Sequence, residues 1–531
     1  MPTRPGLLEC GVHRIVVFLF VLSAVCLTAG FQPAQPSPTF DVLIRNGRVM
    51  DGSGNPWMRG DIGIRDGRIA AVGALPGAQA RTVIDAADRL VTPGFIDVHS
   101  HAAEGLVRAA LRQGQPLLAQ GVTTIVANPD GGGEVDLAAQ RARLENGGLG
   151  PNVALLIGHG SVRSSVMGAA NRAPTAEELE RMRTLVRRAM GEGAFGLSSG
   201  LFYTPGSYAT TEEVIAVAAT AGESGGVYTS HIRDEANYSI GLVAAVQEVI
   251  RIAEEARVIG IVSHMKALGP DNWGLAHAIT RRIDDARARG VRVFADQYAY
   301  DASSTSLRAA LLPGGVALPG PGASAAQREE VESIARENLR RRGGPSAIQI
   351  AFYSPDRTLE GKNLAEIAES RRATPVRTAL DLLARGNASI VSFNMSEPDI
   401  EHIMRQPYTM TSSDGGLVLP TEGRPHPRDY GAFARKLRLY VGERKTIGIE
   451  SAIRSMTSLP AAVFGLRDRG TIRSGAIADL AVFDPDRIRD RATYVDPHHL
   501  AEGMGYVLVN GVVVLEEGKF TKALPGQVLR K

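Results

Sequence analysis

Cysteine is almost missing from this sequence. Its 531 residues include two, Cys10 and Cys26, and both fall within the first 30 positions. Those positions carry Arg4 and Arg14, then the apolar run Ile15-Val-Val-Phe-Leu-Phe-Val-Leu-Ser-Ala-Val-Cys-Leu27, then Thr28-Ala29-Gly30. Charged, apolar and small residues in that order are expected of a secretory signal over residues 1–30. The run is short against the ~20 residues of a membrane span, which leaves an uncleaved anchor as the lesser alternative. Nothing before Cys26 resembles a lipoprotein cleavage site. Gln32 to Pro38 reads as part of a Pro-rich linker over 31–39. After cleavage the chain would hold no thiol, which excludes disulfides, a cysteine nucleophile and thiolate metal ligands. The expected location is the periplasm or the medium, with no stable membrane span remaining.

Charge of one sign is also scarce. Lys and Arg number 59 against 56 Asp and Glu, a net charge of +3, so no particular affinity for nucleic acid or anionic membranes follows. No basic run is interleaved with aromatics, and nucleic acid is not an expected partner. Internal repeats and long low-complexity tracts are absent as well. Glycine, by contrast, is plentiful at 59 residues, which suits a fold with many tight strand-to-helix turns. A composition 44% hydrophobic and 22% charged is that of a globular protein, and the length allows a large barrel with a minor domain.

Both ends of the chain read as short strands with turn signals. Near the start these are Asp41-Val-Leu-Ile-Arg-Asn-Gly47, Asp61-Ile-Gly-Ile-Arg-Asp-Gly67 and Arg68-Ile-Ala-Ala-Val-Gly73. Near the end they are Ala478-Asp-Leu-Ala-Val-Phe-Asp484 and Gly505-Tyr-Val-Leu-Val-Asn-Gly-Val-Val-Val514. Asn-Gly and Asp-Gly between alternating apolar residues predict hairpins. Neither end has strands enough for its own core, so residues 40–89 and 467–531 are expected to pair into one small β-sandwich. Between them, over 90–466, apolar strands alternate with Ala/Arg/Glu-rich helices such as Ala176–Met190 and Gly241–Glu255. That alternation predicts an α/β fold, a (β/α)8 TIM-like barrel. The strand candidates are Val91–Val98, Thr123–Ala127, Val153–Ile157, Ala194–Ser198, Val227–Ser230, Val258–Ser263, Val291–Ala295, Ile390–Phe393 and Tyr408–Ser412. They exceed eight by one, so one belongs elsewhere. A Pro/Gly-rich loop and charged helix over about 307–374 read as an insertion.

The strongest local chemical signal is Phe95-Ile-Asp-Val-His-Ser-His101. Residues two apart on a strand face the same way, so His99 and His101 present two imidazoles at the strand's C-terminal end, where barrel enzymes place reactive groups. His231 ends Val-Tyr-Thr-Ser-His and His264 ends Gly-Ile-Val-Ser-His, on consecutive strands. Asp414, in Tyr408-Thr-Met-Thr-Ser-Ser-Asp-Gly-Gly416, closes the last strand. Four histidines and an aspartate converging on one barrel mouth would bind one or two divalent metals, imidazole and carboxylate being suited to a borderline cation such as zinc. His159, His277, His402, His498 and His499 match no such position and are read as structural.

Finer motifs run in order along the chain. They are Arg45-Asn-Gly-Arg-Val-Met-Asp-Gly-Ser-Gly54, Pro93-Gly-Phe-Ile-Asp-Val-His-Ser-His101, Gly121-Val-Thr-Thr124, Gly196-Leu-Ser-Ser-Gly-Leu201, Tyr228-Thr-Ser-His-Ile-Arg-Asp-Glu235 and Ser263-His-Met-Lys266. Tyr298-Ala-Tyr-Asp-Ala-Ser-Ser-Thr305, Ser413-Asp-Gly415, His426-Pro-Arg428 and Met456-Thr-Ser-Leu-Pro-Ala461 complete them. Together they resemble the N-acyl-D-amino-acid deacylase (D-aminoacylase) family of the amidohydrolase superfamily. The resemblance implies a tightly held zinc on His231, His264 and a bridging residue, with a second, weaker metal site at His99 and His101. In the family the bridge is commonly a cysteine after Gly-Val-Thr-Thr. Here Ile125-Val-Ala-Asn-Pro-Asp-Gly131 places Asp130 there, a harder ligand that favours cations accepting oxygen donors.

The resemblance further implies that Asp414 takes a proton from metal-activated water and passes it to the leaving nitrogen. It assigns Lys266, Tyr298, Ser304 and Arg428 to a substrate carboxylate. The expected partner is thus a small molecule with a free carboxylate, and the expected reaction is hydrolysis of N-acyl-D-amino acids. A dipeptidase or cyclic-amide hydrolase on the same scaffold is the nearest alternative. A non-catalytic exported binding protein is the alternative from another class.

Overall fold

Alternating apolar residues at the two ends of the chain settle into one nine-stranded sheet. The computed structural model describes residues 39–531; the expected signal segment and the expected linker, apart from its last residue, lie outside them. From one edge the sheet runs Lys519–Phe520, Val512–Glu516, Met504–Val509, Leu480–Phe483, Leu90–Pro93, Thr39–Val49, Met58–Arg65 and Arg68–Gly73, with Gln79–Asp85 paired parallel to Thr39–Val49. The two ends join where Leu480–Phe483 lies antiparallel to Leu90–Pro93, Val482 opposite Val91. Strand alternation then divides the side chains. Leu480 and Val482 enter a cluster with Ile44, Ile62, Ile64 and Val91. Ala481 and Phe483 turn to the opposite face, where the Phe483 ring meets Phe95 edge-on at 6.1 Å.

Asp66-Gly67 and Asn510-Gly511 make the expected hairpin turns, all four residues having positive φ, as a type I′ turn requires. The two turns abut. A Cβ on Gly511 would stand 2.6 Å from the Gly67 Cα, so a side chain there would drive the turns apart. Asn46-Gly47 departs from the expectation. It lies inside the strand Thr39–Val49, whose register slips between Ile44 and Gly47. Asn46, at φ 57°, is the extra residue of a bulge. Its displaced amide donates to Asp61 Oδ1 at 3.1 Å, and its side chain to Asp85 Oδ1 at 3.1 Å.

Eight parallel strands form the barrel: β1 Phe95–Ser100, β2 Val122–Ala127, β3 Asn152–Leu155, β4 Gly196–Gly200, β5 Val227–His231, β6 Ile259–Val262, β7 Val293–Gln297 and β8 Thr409–Thr411. The hydrogen-bonded ladder runs as two arcs. β1, β2 and β3 pair in order, and β4 to β8 follow from the short strand Ile157–Gly158, which continues β3. The arcs meet between β8 and β1, where Ser100 bridges Gly415 and the Asp414 amide donates to the His99 carbonyl at 2.9 Å. Ile96, Val98, Val126, Ala154, Val227, Ile261 and Met410 fill the barrel floor against Leu459 and Phe464. The helices Ala176–Gly191 and Leu242–Glu255 pack outside it. Ala176–Gly191 starts at a capping box between Thr175 and Glu178 and buries Met182, Val186, Ala189 and Met190, the i, i+4, i+7 stripe of an amphipathic helix.

Two expectations change here. Val91–Val98 is two strands, because the chain crosses from the terminal sheet to the barrel at Gly94, whose amide donates to Asp479 O at 2.8 Å. Ile390–Phe393 corresponds to Ser389–Ser392, which pairs antiparallel with Ser303–Ser306 and Ile348–Phe352 outside the barrel. It is the surplus strand. The inserted layer therefore begins before 307 and ends beyond 374, and Leu307, Leu339, Ile350, Leu382 and Ile390 give it a core of its own. No helix among the described residues is long and apolar enough to cross a membrane.

Candidate active site

The C-terminal ends of the barrel strands bring His99, His101, Asp130, His231, His264 and Asp414 together. β1 carries His99 and delivers His101 just past its end; His231 is the last residue of β5. Asp130, His264 and Asp414 follow β2, β6 and β8 in tight turns, and all three sit at positive φ, 56°, 36° and 49°. Such backbones persist only where surrounding contacts fix them. Asp296 does so for His264, accepting its amide at 2.9 Å and the Ser412 hydroxyl at 2.6 Å. Asp97 does so beside Asp414, accepting the Ser413 amide at 2.8 Å. Ser198 holds the Asp130 loop: its hydroxyl donates to Asn128 O at 2.6 Å and accepts from Gly131 N at 3.1 Å.

Asp130 is the centre of the cluster. Its Oδ1 lies 3.3 Å from His99 Nε2, 3.5 Å from His264 Nε2 and 3.8 Å from His231 Nδ1. Its Oδ2 lies 3.4 Å from His101 Nε2. Asp414 Oδ1 stands 3.6 Å from His99 Nε2 and 3.3 Å from His101 Nε2. Two groups of metal-ligating atoms result, His99 with His101, Asp130 and Asp414, and Asp130 with His231 and His264. Asp130 belongs to both. Among the described residues His99 Nε2 and Asp130 Oδ1 are buried without a hydrogen-bond partner, a costly arrangement unless something else engages them. Imidazole and carboxylate donors of this kind fit a borderline divalent cation.

The electrostatics agree. Burial alone would raise the Asp130 carboxyl, yet His99, His101 and His264 outweigh it and hold the group well below the usual carboxylate range. Burial likewise disfavours charge on His264, and Lys266 adds to that, but Asp414, Glu235 and Asp130 raise it to about 10. Carboxylates that hold a proton so firmly would hold a divalent ion in its place. His231 is pushed down to about 4, chiefly by burial and against the pull of Glu235, and so offers a neutral ring.

Glu235 is a site residue whose role the sequence reading missed, although it lies within one of the quoted motifs. Its Oε1 is 3.0 Å from His264 Nδ1 and its Oε2 3.9 Å from His231 Nε2. A carboxylate on Nδ1 orients the ring and turns Nε2 toward the centre. The spacing of four residues from His231 was its one signal. Glu235 also pairs with Lys266, whose Nζ is 2.8 Å from His264 Nδ1.

A cavity of about 310 Å³ opens over this cluster, lined by His101, Asp130, His231, His264 and Asp414. Lys266, Tyr298, Ser304 and Arg428 all line it, as do Phe202, Tyr203, Tyr238 and Arg342, which the sequence reading did not single out. Arg428 Cζ lies 4.8 Å from the Tyr298 ring and its Nη1 2.7 Å from Asp414 Oδ2. Ser304 donates to Ile390 O at 3.0 Å. The five histidines read as structural have partners of their own. His159 bonds Glu213 at 3.0 Å, His402 bonds Thr280 at 2.9 Å with its ring tilted against that of His277, His498 bonds Tyr430 at 2.8 Å, and His499 bonds Asp496 at 2.7 Å.

The model of the amidohydrolase family matches residues 82–515. A D-aminoacylase of Alcaligenes xylosoxydans xylosoxydans is 36% identical over 518 residues, covering 93% of this chain and 98% of that protein. N-acyl-D-glutamate deacylase from Bordetella bronchiseptica, solved with zinc and a phosphonate mimic of the tetrahedral intermediate, superposes with a TM-score of 0.80 at 35% identity. The match covers 93% of this chain and 100% of that one. A D-aminoacylase structure concerned with its binuclear metal centre, with one-metal activation and second-metal attenuation, gives a TM-score of 0.81 at 34% identity over the same shares.

Proposed function

The chain belongs to the amidohydrolase family, and from that premise we infer that it hydrolyses the amide bond of N-acyl-D-amino acids, releasing a D-amino acid and a carboxylate. The observation that carries this reading is Asp130, shared by two histidine pairs at the floor of a cavity that also holds Asp414, Arg428 and Lys266. Relatives more than 30% identical over nearly the whole chain include a D-aminoacylase, N-acyl-D-glutamate deacylases and an N-acyl-D-aspartate deacylase.

We further infer one tightly bound zinc on Asp130, His231 and His264, with a weaker divalent site at His99 and His101. The donor set and the zinc of the Bordetella relative support it. When bound, such an ion supplies polarisation of a carbonyl and activation of water. The chain's own residues supply the rest. Asp414, ionised beside Arg428, accepts the proton of the attacking water on its carboxylate and gives it to the departing nitrogen. Arg428, Lys266, Tyr298 and Ser304 line the same cavity and would receive the α-carboxylate, and a fixed carboxylate orients the scissile amide. Glu235 keeps the His264 ring in place. Export to the periplasm or medium is inferred from residues 1–30 and is tested by sequencing the N-terminus of the secreted protein.

The catalytic reading is tested by assaying purified, zinc-loaded protein on paired N-acetyl-D- and N-acetyl-L-amino acids. Turnover confined to D substrates is the expected result. A preference for L substrates or for dipeptides would retire it in favour of another hydrolase of the same scaffold, and metal binding without turnover would favour a binding protein.

A further inference from the structure

The helix Ala325–Arg341 in the inserted layer ends on a run of arginines, and its successive members meet different fates. Arg340 Nη2 lies 2.9 Å from both Asp271 and Glu337, and Arg341 Nε lies 3.2 Å from Glu337. Arg342, which caps the helix, turns inward. It is 2% exposed and lines the cavity that holds the metal cluster. Its Nε and Nη1 are buried without a hydrogen-bond partner, and it forms no ion pair among the described residues. Its Cζ lies 5.8 Å from the Tyr238 ring. That ring is 5.5 Å from Phe202, which is 5.8 Å from His231. Arg342 thus belongs to the His231 side of the cavity, whereas Arg428 stands against Asp414 and Tyr298.

A buried guanidinium without an anion is strongly destabilising, and the negative end of the helix offsets only part of that. The cavity has no carboxylate to spare for it. Glu235 is taken by Lys266, Asp414 by Arg428, and Asp130 by the histidines. Arg342 is therefore an unmatched positive charge in the cavity lining, and a guanidinium is the group that binds carboxylate through two parallel hydrogen bonds.

We propose that Arg342 receives a second carboxylate of the substrate, so that the preferred substrates are N-acyl-D-amino acids carrying two acidic groups. This rests on the N-acyl-D-amino-acid reading of the site. The second carboxylate belongs either to the amino-acid side chain or to the acyl group, and two pairs of near-isosteric substrates separate these sources. N-acetyl-D-glutamate against N-acetyl-D-glutamine tests the side chain; N-succinyl-D-leucine against N-butyryl-D-leucine tests the acyl group. With zinc-loaded, full-length enzyme, the acidic member of at least one pair should exceed its neutral partner in kcat/KM by roughly 10- to 100-fold. Arg342→Met should collapse that ratio to within about threefold, and Arg342→Lys should retain part of it.

Parity within both pairs for the wild-type enzyme overturns the proposal, and does so even if Arg342→Met fails to fold. A ratio left intact by Arg342→Met overturns it as well. Turnover of the neutral D substrates at parity removes only the role of Arg342, whereas no turnover of any D substrate removes the underlying reading of the site and the proposal with it.

Discussion

Arg428 Nη1 lies 2.7 Å from Asp414 Oδ2, while Oδ1 of the same carboxylate faces His99 at 3.6 Å and His101 at 3.3 Å. One carboxylate thus joins Arg428 on the cavity wall to the histidines that could hold a metal ion on its floor. Burial by itself would push the Asp414 carboxyl up, but Arg428 and the facing histidines hold it well below the usual range. Asp414 therefore rests ionised, with Oδ1 toward the cluster.

Replacing Asp414 with Asn keeps the shape and the contact with Arg428 but removes the proton acceptor. The metal expected on Asp130, His231 and His264, a group without Asp414, and the melting temperature should stay close to the wild type. kcat should fall by at least roughly 100-fold, the lower end for loss of a general acid–base group. Steady-state kinetics beside metal analysis checks this, and near-normal turnover would assign the proton to another residue.

Arg428 pairs with Asp414 and is proposed to receive the substrate carboxylate as well, and substrate chemistry separates the two duties. Arg428→Ala should cost about 10- to 100-fold in kcat/KM on free-acid substrates beyond its cost on the matching amides, since a charge-assisted hydrogen bond is worth ~1.5–3 kcal/mol. Whatever loss both classes share reports on Asp414. Equal losses on acids and amides would leave Arg428 with the pairing to Asp414 alone.

Much of this site could be read in the sequence because strand geometry is local. His99 and His101 fall on one face by alternation, and His231 and His264 repeat a Ser-His strand ending. Asp130 needed the loop as well as the strand, and only the resemblance singled it out. Glu235 was harder, because its role depends on a loop folding back so that it reaches His264 from the neighbouring strand. Arg342 was illegible. Three consecutive arginines look alike in sequence, and the turn at Gly343 and Gly344, both at φ 90°, decides which one enters the cavity. The same limit applied to Asn46-Gly47, where letters that favour a hairpin serve a bulge because Asp61 and Asp85 take up its donors.

Asp130 belongs to both groups of metal-ligating atoms, and its removal should therefore empty both. Asp130→Ala should weaken metal binding by more than about 100-fold, beyond the 10- to 100-fold typical of outer partners. His101→Ala should deplete only the group that contains it. Metal-to-chain ratios after dialysis, read by plasma mass spectrometry, check this. An Asp130→Ala protein with wild-type metal content would remove the bridge from the site.

Lys436 offers a test of stability away from the cluster. The residue is 2% exposed, and its Nζ donates to Thr411 Oγ1 at 2.8 Å and Ser455 Oγ at 3.0 Å, with no carboxylate in contact among the described residues. Burial pushes it down to about 7, whereas an unfolded lysine titrates near ~10.4. Between those values the unfolded chain binds more protons than the folded one, so this group's contribution to stability rises with pH. Below about 7 its penalty is full and constant. Lys436→Met keeps the length, removes the charge, and leaves Thr411 and Ser455 bonded to each other at 3.0 Å. The variant should be more stable than the wild type at pH 7, on the order of 1–3 kcal/mol, and that advantage should shrink by pH 9. Calorimetric melting of both proteins at pH 7, 8 and 9 measures the gap. A gap that stays constant or widens with pH would mean that the lysine stays charged in the folded protein, held by the two hydroxyls alone.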